Sequence, residues 1–115
     1  MNEQSDVLLV LTNCPDEATA ANIRRDLVES RLAACVNQLA PVHSTYRWQG
    51  AVEEAAEVPL LIKTTRGAYP ALQARLLELH PYAVAEVLAM AVERGSPDYL
   101  GWVAAETRAD TEPEE

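Results

Sequence analysis

The sequence predicts an α+β fold: one four-stranded sheet, two helices packed on it, and a closing C-terminal helix. Three observations carry that prediction. Apolar runs of strand character alternate with segments of helical period in the order β-α-β-β-α-β. Gln49-Gly50 reads as a tight turn between two strands far longer than usual. The first and fourth strands are apolar at odd and even positions alike, so the sheet has two faces to bury.

Asp6–Asn13 (DVLLVLTN) is a short apolar run rich in branched residues, a buried strand. Pro15 suits a first helical turn, where its missing N–H costs nothing, and Asp16 and Glu17 suit the positive end of the helix dipole. Ala20, Ile23, Leu27 and Val28 then recur at helical spacing, which predicts a helix from about Asp16 to Ser30. Ala34–Trp48 reads as one long strand with a bulge or bend at Pro41. After Gln49-Gly50 the chain returns from Val52 to Lys63. A pair of that length must overhang its own sheet. Pro70 opens a second helix with Leu72, Leu76 and Leu79 on one stripe, and Pro81 stops it at His80. Tyr82–Val92 is expected as the fourth strand, apolar except at Glu86. Ser96-Pro97-Asp98 starts the closing helix with a serine cap, a proline and an acid.

This βαββαβ order with a C-terminal helix is the ferredoxin-like arrangement, with right-handed crossovers. Two main helices cover one face of a four-stranded sheet, and the chain has too little left to cover the other. A homo-oligomer is the economical answer, with the overhanging hairpin of the second and third strands as a clasp.

The 115 residues leave room for one core, here a single domain over residues 1–107. The tail, 108–115, is small and acidic, and is expected to be disordered. A formal net charge of −9 repels phosphate backbones and attracts cations, so nucleic acid is excluded as a partner. No apolar run reaches the ~20 residues that cross a bilayer, and the start of the chain lacks the cations and apolar stretch of a secretory signal. The expectation is a cytoplasmic protein with no membrane partner, in which Cys14 and Cys35 stay free thiols. Hydrolase signatures and a glycine-rich phosphate cradle are missing, and catalysis is not expected.

Six stretches, in order, resemble the CutA family, the divalent-cation tolerance proteins. They are Pro15-Asp16-Glu17, Arg31–Asn37 (RLAACVN), Tyr46–Gly50 (YRWQG), Leu61–Thr65 (LIKTT), His80-Pro81-Tyr82 and Tyr99–Trp102 (YLGW). The likeness is collinear from about Val7 to Thr107. It implies a PII-like homotrimer of ferredoxin-like subunits and a role in the response to metal ions. This chain departs from the family pattern at Ala51, where a cation is usual, at Ala83, where glutamate is usual, and at Ala85, where proline is usual. Copper binding in the family involves a first-strand cysteine and adjacent histidines. The matching positions are Thr12 and Leu79-His80, so one thiol and one imidazole are missing.

Three residues are candidate ligands for copper(II) or another divalent cation, weakly bound. His80 offers an imidazole, Glu86 the one charge in an apolar stretch, and Cys35 a soft thiolate. Each has a plainer reading: a histidine at a helix end satisfies the dipole or a carbonyl, and a strand cysteine is a small hydrophobe. Lys63 follows Leu60-Leu61-Ile62 and needs a partner, for which Glu53, Glu54 and Glu57 are candidates across a subunit boundary. In a trimer of the family type, Tyr46, Trp48, Lys63 and Tyr82 line an inter-subunit cleft with His80 and Glu86. That cleft is also where an alternative function, a PII-like signalling or scaffold module, would bind a small molecule or partner protein. His43, in the hairpin, reads as exposed.

Overall fold

The computed structural model describes residues 5–108. The chain runs β1 (Val7–Cys14), α1 (Glu17–Glu29), β2 (Cys35–Gln38), β3 (Val42–Trp48), β4 (Ala51–Thr65), α2 (Tyr69–Leu79), β5 (Leu88–Ala91) and α3 (Pro97–Glu106). The sheet order is β2-β4-β1-β5, with β3 continuing along β4 beyond the sheet. Every pairing is antiparallel, as the ferredoxin-like order requires. Of the tail expected at 108–115, only Arg108 is among the described residues, and its N–H donates to the carbonyl of Arg31 at 2.8 Å.

The long second strand breaks where proline predicts. Gln38 pairs with Leu60 and Val42 with Glu57, so Leu39, Ala40 and Pro41 stand opposite Val58 and Pro59 alone. That is a bulge of one residue. Pro59 tolerates its place in β4 because its carbonyl, and hence its missing N–H, faces this interruption, where it accepts from Leu39 N at 2.9 Å. β1 pairs with β4 only from Val58 onward, so β3 and Ala51–Glu57 of β4 project as a free arm of roughly 20 Å at the usual strand rise. Gln49 (φ 51°) and Gly50 (φ 83°) close its tip, both left-handed as a two-residue hairpin turn demands.

α1 begins where Asp16 Oδ1 accepts from Thr19 N at 2.8 Å. Its Ala20, Ile23 and Leu27 meet Leu72 and Leu76 of α2 over Val10, Leu60 and Ile62, forming the core on one face of the sheet. Arg75 of α2 holds both carboxylate oxygens of Asp26 in α1, at 2.9 and 2.6 Å. On the opposite face, Val103 of α3 covers only the end where Val7 and Ala34 meet. The rest of that face keeps Leu9, Leu11 and Leu61 half-buried, with Leu88 and Met90 about half exposed. The apolar second face read from the sequence is therefore present, and no element among the described residues covers it.

Two expectations need correction. The fourth strand is Leu88–Ala91, not Tyr82–Val92, because the edge of β1 beyond Leu11 is spent on side chains. The Asn13 carbonyl bonds the imidazole of His80, and the Asn13 amide bonds Glu86. A strand there would find its acceptor already taken. At α3, Ser96 supplies its backbone carbonyl to Leu100 N at 3.0 Å, but its side chain makes no capping bond.

Candidate functional site

The loop from Tyr82 to Val87 leaves the sheet at the point where the arm begins, and the two bound a cleft of about 640 Å³. Tyr46 and Trp48 of β3 line one side, Tyr82 and Glu86 the other, with Glu57 and Asn13 on the wall formed by β4 and β1. Its position follows from the register. Tyr46 and Trp48 alternate on β3 to share a face, and the bulge brings that face beside the loop that Pro81 turns away.

Hydrogen bonds hold the walls together. Tyr82 Oη donates to Glu57 Oε2 at 3.0 Å, and Asn13 Nδ2 donates to Glu86 Oε1 at 3.0 Å. The phenol of Tyr82 is pushed up to about 12, by burial first and then by its bond to Glu57 and the charge there, so it stays a donor at neutral pH. The same charge lies near Cys14, fully buried beneath the cleft, whose thiol is pushed up to about 11 chiefly by burial.

His80 is packed rather than presented, at 6% exposure. The N–H of Tyr82 can only donate, so His80 Nδ1 accepts it, at 3.2 Å. The ring proton therefore sits on Nε2, which donates to the Asn13 carbonyl at 2.7 Å. Both nitrogens are occupied, and the acceptor is a carbonyl of β1 rather than of its own helix. The ring packs on Tyr82 with centroids 4.8 Å apart. His80 thus braces the cleft from behind and does not line it.

Of the cleft residues expected, Tyr46, Trp48, Tyr82 and Glu86 come together within one chain. Lys63 does not join them: it pairs across the sheet with Leu9 and Cys35, six residues along β4 from Glu57, and its ammonium donates to Asn37 Oδ1. Cys35 lies at that same far end, against Tyr99, whose phenol is shifted upward by burial and then by its proximity to Cys35. His80, Glu86 and Cys35 therefore do not converge in one subunit, and no group of three His, Cys, Asp or Glu suited to a metal exists among the described residues. Within a single chain the residues present do not fit a tight divalent site. Sequence reasoning missed Asn13 as a cleft residue and saw Glu57 only as a partner for Lys63. The available signals were a polar residue closing an apolar strand and the last acid before Val58-Pro59-Leu60.

Fold and cleft together define a small ferredoxin-like domain with a projecting hairpin arm and an acidic, aromatic cleft at its root. The family model described as CutA1 divalent ion tolerance protein matches residues 8–106. The chain is 46% identical over 99 residues to the divalent-cation tolerance protein CutA of Thermus thermophilus, covering 86% of this chain and 96% of that one. It is 47% identical over 97 residues to mouse protein CutA, covering 84% of this chain but only 55% of the mouse protein. The crystal structure of CutA from Xylella fastidiosa superposes with a TM-score of 0.88 at 48% identity, covering 90% of this chain and all of that one. The chain belongs to the CutA1 divalent ion tolerance family.

Proposed function

We propose that the protein acts in divalent-cation tolerance as a cytoplasmic homotrimer that binds copper(II) or another divalent cation weakly, without catalysis. The observation that carries this reading is the pair of acids at the arm's root. Glu57 and Glu86 line one cleft, and neither forms an ion pair among the described residues. In a chain of net charge −9 such carboxylates draw cations. One carboxylate site per subunit, with His80 committed to Asn13 and Cys35 distant, supports affinity no better than the micromolar range, since copper(II) prefers several nitrogen or oxygen donors. The homotrimer is supported by the uncovered face bearing Leu88 and Met90 and by the free arm. The names of the relatives point to divalent cations. No helix among the described residues is long and apolar enough to cross a membrane.

The test is a copper titration of wild type, Glu86→Gln, Cys35→Ala and His80→Asn at low and high salt. At high salt, Glu86→Gln is expected to weaken binding at least several-fold. Identical affinities for all four proteins would leave only a diffuse ion atmosphere and remove the metal reading.

A second reading is favoured by the size of the cleft. At about 640 Å³ it falls in the range of small-molecule sites, and a trimeric signalling or scaffold module would place its ligand there.

A further inference from the structure

We propose that the cleft at the root of the arm binds a small organic ammonium ion, held by the carboxylates of Glu57 and Glu86 and by the faces of Tyr46, Trp48 and Tyr82. This rests on the reading of the cleft as a small-molecule site and names the class of molecule it takes.

The charge of the walls excludes anions. No Lys, Arg or His lines the cleft among the described residues, so a phosphate or carboxylate ligand would meet only like charge. Glu57 supplies the first anionic group for a cation. Its side chain belongs to a residue only 9% exposed, and its hydrogen bond comes from the neutral hydroxyl of Tyr82. Its second oxygen receives no hydrogen bond from the described residues. That oxygen belongs to a residue lining the cleft, where it is available to a cation. Glu86 is exposed at the rim, with one oxygen held by Asn13 and the other open.

The walls then distinguish an organic cation from a metal ion. A tightly held divalent metal needs several donor groups at short range, and no group of three His, Cys, Asp or Glu suited to one is found among the described residues. An ammonium ion needs one carboxylate, and gains from aromatic faces that a hydrated metal cannot use. Tyr46, Trp48 and Tyr82 supply those faces, and each is about 40% exposed in the single chain. The volume admits a carbon skeleton behind the charged head, far more than a bare ion requires.

The experiment compares phenethylamine, protonated at neutral pH, with 2-phenylethanol, its neutral counterpart of similar shape. Both are titrated into the full chain in its native assembly by calorimetry, in the presence of EDTA so that no metal contributes. Trp48 emission provides a second readout. Saturable binding of the amine is expected, at least tenfold tighter than the alcohol. Glu57→Gln should abolish that preference and leave the alcohol unchanged. Glu86→Gln, at an exposed position that folding tolerates, should reduce amine affinity several-fold. Equal binding of amine and alcohol would overturn the cationic class while leaving the cleft a ligand site. Binding of neither would overturn both readings. Amine binding that Glu57→Gln and Glu86→Gln leave intact but high salt removes would reduce the effect to the general acidity of the surface, and overturn the proposal.

Discussion

Tyr82 Oη donates to Glu57 Oε2 at 3.0 Å, and this one bond joins the loop after α2 to the residue at which β4 leaves the sheet. The phenol ionises at about 12 when folded, against about 10 in an unfolded chain. Between those values the unfolded state releases the proton first. The bond's contribution is therefore whole below pH 10 and is lost as pH rises to 12. Phenolate absorbance during an alkaline titration should show Tyr82 and Tyr99 ionising late, and Glu57→Gln should move only the Tyr82 step to lower pH. An unchanged titration in that variant would show that burial alone sets the shift.

His80 tests the difference between a helix-end residue and a brace. Removing a charge that merely favours the helix dipole costs about 0.3–1 kcal/mol. Removing His80 strands the Asn13 carbonyl and the Tyr82 N–H together, for which about 2–3 kcal/mol is expected. Urea unfolding of His80→Ala at fixed protein concentration decides between them. A loss within the dipole range would mean that neither bond matters in solution.

Thr12 is wholly buried, and its hydroxyl has no hydrogen-bond partner among the described residues. Valine has the same shape without the polar atom. Thr12→Val should therefore stabilise the protein by about 1 kcal/mol, measured by the same unfolding experiment. A destabilised variant would mean that the hydroxyl has a partner, such as an internal water.

Leu88 and Met90 separate monomer from assembly. Both are about half exposed in one chain, where Leu88→Asp would change stability within about 0.5 kcal/mol. If a second copy covers the face, the same change should lower the mass measured by light scattering from three times the subunit toward one. A wild-type mass equal to the subunit would remove the homotrimer outright.

Among the described residues the cleft carries no cationic side chain for phosphates, and the loop before α2 offers Arg66-Gly67 without a side-chain cap. ATP and ADP should therefore bind no tighter than the millimolar range. Micromolar affinity by calorimetry would favour a nucleotide sensor of PII type.

Local chemistry was enough to read most of the fold. The acids at the start of α1, the bulge at Pro41, the turn at Gln49-Gly50 and the stop at Pro81 each depend on a residue whose backbone or side chain allows few alternatives, although the structure makes Asp16 the cap and leaves Pro15 ahead of the helix. The apolar pattern of β1 likewise announced a sheet with two faces to bury. Contacts between distant segments were not legible. Asn13 and His80 lie 67 positions apart, and nothing in either neighbourhood says that the imidazole will take a carbonyl of β1 and delay the start of β5 to Leu88. Lys63 and Glu57 share one strand, yet only the pairing register places one by Cys35 and the other in the cleft. By itself, then, the sequence determined the elements, their order and the family resemblance, because those follow from periodicity and short motifs. The tertiary structure alone decided which acids and aromatics share a wall, because that depends on where a one-residue bulge and a proline-turned loop bring separate strands together.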